Sequence, residues 1–209
     1  ASALLNVARG GDGQVIDCAM TDGTAVLMAM IHGMMNMGVW SEDRGANLLD
    51  TGAHFYDTYE TADGKFVSIG SIEPQFYAEL RRIAGLEDDA AFDAQHDKAK
   101  WAGLKDKLTA LFRAKTRAEW DALMEQTDVC YAPVLTMSEA IAHPHNAARG
   151  TFVEVGGSMQ PAPAPRYSAT SNPAPKPAPR PGDHSDAVLA TLGMNAGEIA
   201  TLRAAGTIT

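Results

Sequence analysis

Apolar residues at helical spacing predict a group of helices in the middle of the chain. Pro74 and Gly85 bound one candidate, because proline suits the first position of a helix and glycine supplies a stop. Thr116 and Glu119 have the spacing of a capping box, which predicts a helix extending to about residue 124. Between these two, residues 98–114 form an amphipathic pattern whose apolar face consists of Trp101, Leu104, Leu108, Leu111 and Phe112.

Alternating and β-branched residues predict a hairpin just ahead of these helices. Residues 55–60 and 65–71 are rich in strand-forming side chains, and Ala62-Asp63-Gly64 between them is typical of a hairpin turn. The chain is therefore expected to combine helices with a small antiparallel sheet. Weaker strand signals occur at 14–17, 130–134 and 152–155.

The most apolar stretch, residues 19–40, carries no charge after Asp22 and contains six methionines. A membrane span needs about 20 apolar residues, so this interpretation has to be considered. Gly23, Gly33 and His32 dilute the apolarity and no basic flank sets an orientation, which argues against it. The pattern favours a helix buried in a core or a subunit interface.

The C-terminal third changes character at residue 161. Eight of the eleven prolines fall between residues 161 and 181, which predicts an extended linker without a core of its own. Two short helices are expected beyond it, over residues 183–192 and 195–204, and a third, over 137–142, precedes it.

Composition narrows the possible functions. A net charge of −9 over 209 residues argues against nucleic acid as a partner, because phosphate binding needs clustered basic residues. Cys18 and Cys130 are far apart and fit neither a disulfide framework nor a metal spacing, so we expect free thiols in the cytoplasm, no metal and no cofactor. No signal peptide begins the sequence, and a helix tail at residues 1–9 suggests that a segment precedes it.

Three blocks carry a family resemblance. They are GQVIDCAMTDG at 13–23, RGANLLDTGA at 44–53, and the hairpin followed by IEPQFY at 72–77, the most specific of the three. In order and spacing they resemble the α-methylacyl-CoA racemases, which are members of the family III CoA-transferase superfamily. The similarity extends roughly from residue 6 to residue 168.

The resemblance implies an α+β fold. It corresponds to the small α/β-type domain of the family III CoA-transferase fold with long flanking helices, without the N-terminal nucleotide-fold half. Residues 1–54 would be the tail of the large domain and a long connecting helix. Residues 55–150 would be the small domain, 151–182 the Pro-rich linker, and 183–209 helices that pack on the large domain. Family members form interlocked homodimers, so a homodimer is expected.

The resemblance also implies a reaction, the inversion of the carbon next to a thioester carbonyl in an acyl-CoA. The family's proton-transferring His and Asp lie in motifs that would precede residue 1, so the chain alone is expected to be inactive. Glu73 matches the glutamate that orients this His. Met20 matches a methionine surface over which the acyl chain moves, and Leu49 and Tyr56 match neighbours of the acyl group.

Several other residues are given structural interpretations. Thr51 and His54 depart from the family pattern in a loop near the acyl site, and His54 is expected to be an exposed loop histidine. Asp17 and Asp50 are expected to bond loop amides rather than act in catalysis. Tyr59 and Tyr77, together with the five methionines between residues 28 and 37, are interpreted as packing residues.

Two alternatives stay open. A family III CoA-transferase would need a Gly-rich loop near residues 49–53, where this chain has a short loop with a single glycine. A non-enzymatic dimerising or binding module would keep the fold without the chemistry. In that case the apolar segment 19–40 would have to be covered by self-association or a new interface.

Overall fold

A computed structural model describes residues 1–208, which form two compact units that divide after residue 134. The first unit begins with three helices, α1 (Ser2–Ala8), α2 (Met20–Leu27) and α3 (Ala29–Asn36). A sheet and three further helices follow. Their bounds are β1 (Tyr56–Glu60), β2 (Phe66–Gly70), α4 (Pro74–Ala84), α5 (Trp101–Phe112), α6 (Arg117–Met124) and β3 (Tyr131–Val134), with 3₁₀ turns at Ala90–Phe92 and Lys98–Lys100.

The sheet of the first unit is antiparallel throughout, with strand order β1-β2-β3. Tyr56 pairs with Gly70 and Glu60 with Phe66, so the hairpin closes on the predicted turn, where Gly64 has a φ of 70°. Side chains alternate between the two faces of such a sheet. One face carries the buried residues Tyr59, Val67 and Ile69, and the other stays open over much of its area.

Helices cover the buried face and form a core with it. Phe55, Leu80, Leu108, Phe112 and Met124 are almost fully buried there. Each of these side chains contributes about 1.5–3 kcal/mol when it leaves water, so the hydrophobic effect accounts for the association of sheet and helices. The three strands and three helices of residues 56–134 therefore hold one another without help from α1 to α3.

The second unit is described separately. It contains α7 (Met137–Ala142), α8 (Pro144–Arg149), the hairpin β4 (Phe152–Val155) with β5 (Ser158–Pro161), and then α9 (Ser185–Thr191) and α10 (Ala196–Ala204). The Pro-rich stretch contains no helix, and no strand beyond the end of β5 at Pro161. Asn195 caps α10 by accepting bonds from the N–H groups of Gly197 and Glu198.

Most of the predicted elements are confirmed, and the differences are instructive. The hairpin, α4 with its Gly85 stop and the capping box of Thr116 and Glu119 occur as predicted. Residues 14–17 form no strand, because no second strand pairs with them. Strand β5 and helix α8 were not predicted.

The apolar stretch 19–40 is interrupted. It forms α2 and α3, separated at Met28, where ψ moves to 2°. Neither helix has a buried residue within this chain, so the alternative of burial in a core is wrong, and the alternative of burial in a subunit interface stays a prediction. Among the described residues, no helix is long and apolar enough to cross a bilayer.

Glycine at position 52 is required by a close approach of two backbone segments. A Cβ atom there would collide with the carbonyl oxygen and the amide nitrogen of Asn47. Gly103 lies on α5 with open space around it, so a Cβ is harmless at that position.

These two glycines give a matched pair of variants. We expect Gly52→Ala to lower the free energy of unfolding by about 1–3 kcal/mol through overpacking. Gly103→Ala should raise it by up to about 1 kcal/mol, because alanine is the better helix former. Urea unfolding followed by circular dichroism measures both, and equal effects of the two variants would contradict the structure.

Candidate functional site

The segment that joins β2 to α4 is anchored on both sides. The Ser71 N–H donates to the carbonyl of Phe55 at 3.0 Å, and the Ser71 hydroxyl donates to the carbonyl of Val129 at 2.6 Å. Ser71 is fully buried, and unpaired polar groups are costly in such a place. These bonds fix the backbone two residues ahead of Glu73.

A single buried side chain satisfies the next two carbonyls. The Gln95 amide nitrogen donates to the carbonyl of Ser71 at 3.0 Å and to that of Ile72 at 2.9 Å. The Gln95 backbone is itself held, since its carbonyl accepts from the Trp101 indole at 2.8 Å. Glu73 therefore projects from a rigid support.

The Glu73 carboxylate is exposed at the N-terminus of α4 and does not cap that helix. It has no hydrogen bond or ion pair with the part of the chain that the structure describes. Burial raises the pKa of the nearby Cys130 thiol, and the negative charges of Glu73 and Asp128 raise it further.

A cavity of about 320 Å³ lies between the sheet and the loop that precedes it. Its wall includes the only two non-glycine residues among 1–208 with positive φ, Thr51 at 73° and Cys130 at 57°. For a β-branched residue such as threonine this conformation is strained. The other lining residues are Tyr56, Asp57, Thr58, Ser68, Ile69 and Gly70.

The loop that carries Thr51 is folded around a buried asparagine. Asn47 donates to the carbonyls of Ser41 and Asp43, and to Asp50 at 2.7 Å. Asp50 accepts from the N–H groups of Gly45 and Asn47. Burial alone would raise the pKa of Asp50, but the hydrogen bonds from Asn47, Gly45 and Gly52 outweigh it and lower the pKa. The structural interpretation of Asp50 is thus confirmed.

The residues predicted for the site lie in different surroundings. Tyr56 lines the cavity, and Leu49 is half-buried in the loop just ahead of Thr51. Met20 is 89 % exposed at the start of α2 and is not part of the cavity wall. The roles assigned to Glu73, Met20, Leu49 and Tyr56 stay predictions.

His54 corrects an expectation, because it is completely buried rather than exposed. Its Nε2 lies 2.8 Å from the Tyr77 hydroxyl, which also donates to the carbonyl of Phe92 at 3.0 Å. That bond uses the only hydroxyl proton, so His54 Nε2–H must be the donor, and Nδ1 has no partner. Tyr77 and Tyr59 are buried, which confirms their packing role.

Gln95 and Lys105 were not predicted for the site. Gln95 is joined to Ser71 across 24 positions and Lys105 to Thr51 across 54, and no local pattern signals such contacts. Within residues 1–208, no three His, Cys, Asp or Glu side chains are grouped as metal ligands would be.

The family model for CoA-transferase family III matches residues 1–185. The chain is 44 % identical to α-methylacyl-CoA racemase from Mus musculus over 202 residues, covering 96 % of this chain and 53 % of that protein. For the Homo sapiens racemase the identity is 40 %, covering 94 % and 52 %. The chain thus spans about half the length of these curated relatives.

A solved structure shares the fold. A CaiB/BaiF family protein from Brucella suis superimposes with a TM-score of 0.67 at 23 % identity, covering 91 % of this chain and 51 % of that one. The predicted α+β class and family fold are thereby confirmed.

The buried His54 makes stability depend on pH. Burial, together with the charge of His96, lowers the pKa of His54 from 6.5 to about 4. The unfolded chain therefore binds more protons between these pH values, and stability falls as the pH drops from 6.5 to about 4.

We expect His54→Gln to reduce this fall in stability, as measured by urea midpoints across that pH range. His32→Gln, on the exposed face of α3, is the control and should keep it; identical profiles for both variants would contradict the assignment.

Proposed function

Because this chain belongs to CoA-transferase family III, we propose that it forms the acyl-facing half of a 2-methylacyl-CoA racemase. The substrate class is the 2-methyl-branched acyl-CoA thioester. The reaction is a 1,1-proton transfer at the carbon next to the thioester carbonyl. Identities of 44 % and 40 % to two α-methylacyl-CoA racemases support this choice over a CoA-transferase.

The observation that carries the proposal is the placement of Glu73. Its carboxylate is exposed, has no ion pair among the described residues, and stands on a backbone fixed by Ser71 and Gln95. A carboxylate held this way can accept a hydrogen bond from an imidazole. It would then keep that imidazole in one orientation and raise its pKa.

The chemistry divides between Glu73 and groups that the resemblance assigns to other motifs. One group removes the α-proton, the thioester becomes an enolate, and a second group returns a proton to the opposite face. Glu73 would orient the imidazole that serves one face. The cavity beside Tyr56 would receive the acyl chain. The resemblance adds Leu49 and Met20 as contacts of that acyl chain outside the cavity wall.

We further propose that these 209 residues alone do not catalyse the proton transfer at the α-carbon. The Asp of the family lies in a Gly-Asp-Phe-Gly-Gly-Gly-like turn, and no such turn occurs in the sequence. His54, which follows the cavity loop in sequence, is buried, and burial lowers its pKa to about 4. Its environment favours a structural role.

Two parallel measurements test the acyl site and the inactivity. The purified chain is titrated in H₂O with a 2-methylacyl-CoA, with free CoA as the control, and a second sample is incubated with the same thioester in D₂O. We expect the amide resonances of Tyr56 and Gly70 to shift with the acyl thioester and not with CoA, and no deuterium to enter the α-carbon above the buffer blank. Deuterium incorporation would overturn the inactivity, and unchanged resonances would overturn the acyl site.

We also propose that the chain is a homodimer and that α2 and α3 form its interface. Their apolar side chains are exposed, including Leu27 at 85 % and Met37 at 77 %. Exposed apolar area of this kind marks an interface. Residues 23–40 carry no charge, so two copies of a chain with net charge −9 can meet there without like-charge repulsion.

A charge in this segment should separate the dimer. We expect Leu27→Glu to weaken self-association at least tenfold, because an ionised carboxylate would be buried without a partner. Met137→Glu is the matched control, since Met137 is equally exposed, at 88 %, but lies in the second unit. Sedimentation equilibrium measures both variants. A wild-type chain that stays monomeric would refute the interface.

A further inference from the structure

We propose that Lys105 is a positioning residue that holds the Thr51 turn against strand β1 and so sets the width of the cavity. This inference rests on the proposed function, because the cavity matters only if it receives an acyl chain. Lys105 lies on α5, outside the cavity wall, and acts through the residues that it holds.

The ammonium group of Lys105 contacts two residues, Thr51 and Asp57, that are remote from it in sequence. Its ammonium group lies 2.6 Å from the Asp57 carboxylate on β1 and donates to the carbonyl of Thr51 at 2.5 Å. Thr51 and Asp57 both line the cavity. The lysine therefore fixes the loop wall of the cavity relative to its sheet wall.

The backbone at Thr51 needs such support. A β-branched residue at a φ of 73° is strained, so the turn would tend to relax without an opposing contact. The Asn47 and Asp50 bonds stabilise the loop internally, but they do not link it to the sheet. Tyr59 and Ser71 hold the carbonyls of His54 and Phe55, and the Lys105 ammonium links Thr51 itself to Asp57 on the sheet.

The same ammonium group neutralises a carboxylate at the cavity. The Asp57 side chain is only 12 % exposed, and without Lys105 its charge would face the cavity unpaired. An acyl-CoA is strongly anionic, so an unpaired carboxylate there would repel it. Position and charge can be separated experimentally, because Asp57→Asn removes the negative charge, while the asparagine side-chain oxygen can still accept a hydrogen bond from Lys105.

Two lysines on α5 give a matched comparison. Lys107 forms an ion pair of the same length, 2.6 Å, with Asp89, and it contributes nothing to the cavity wall. We expect Lys105→Met to speed amide hydrogen exchange at Gly45, Asn47 and Gly52 by about tenfold, since these amides donate to Asp50 in the held loop. Lys107→Met should leave their exchange unchanged, and Lys105→Arg should restore protection.

A readout from the core distinguishes positioning from general stability. Amide exchange at Val67, in the central strand, should be the same in both methionine variants. Faster exchange at Val67 and in the loop together would mean that Lys105 only stabilises the unit as a whole, which would overturn the proposal. Unchanged loop exchange in Lys105→Met would overturn it as well.

Ligand binding tests whether Lys105 affects the selectivity of the cavity for acyl-chain length. Acyl-CoA thioesters with short and long branched acyl groups are titrated into the protein. Binding is followed by the chemical shift of the Tyr56 amide. We expect the wild type and Asp57→Asn to discriminate between chain lengths and Lys105→Met to lose at least threefold of that discrimination. Equal discrimination in Lys105→Met would overturn the proposal. If no thioester binds to any variant, the proposed function fails, while the exchange data still decide whether Lys105 holds the loop.

Discussion

The turn from β2 into α4 brings two peptide carbonyls next to an aromatic core, and the local fold depends on satisfying both of them. Gln95 does so with one amide group, and the Trp101 indole holds the Gln95 backbone in turn. Leaving either carbonyl unpaired in this environment would cost about 1–3 kcal/mol. These bonds fix the backbone at the start of α4. Glu73 takes its direction from that constraint rather than from contacts of its own.

The parts of the fold that were predictable are those encoded within a few residues. The hairpin followed from the turn at Gly64, and α6 from the capping residues Thr116 and Glu119, because both signals act over short distances. Elements that need a partner were harder to predict. Residues 14–17 have the composition of a strand but no neighbour to pair with, whereas β5 forms because β4 lies beside it.

The site divides in the same way. The motif that includes Glu73 was recognisable by resemblance, while its support was not, because Gln95 reaches it across more than twenty positions. His54 was expected on the surface, since histidine in a polar loop is commonly solvated, but the aromatic rings of Phe55, Tyr77 and Phe92 enclose it. Burial is a property of the assembled core, and a single loop sequence does not encode it.

The cavity wall and the exposed surface beside it differ in how firmly their residues are held. Strain at Thr51 and Cys130 persists because the sheet, α5 and the loop fix those residues from several sides. By comparison, the Glu73 carboxylate and the open face of the sheet expose polar and apolar atoms to solvent. The backbone of this wall is fixed, whereas its outward-facing groups are left open to solvent. Such a wall suits one side of a binding site better than a complete binding site. This character of the surface supports the proposal that the chain supplies the shape of an acyl site and leaves the proton transfer to other groups.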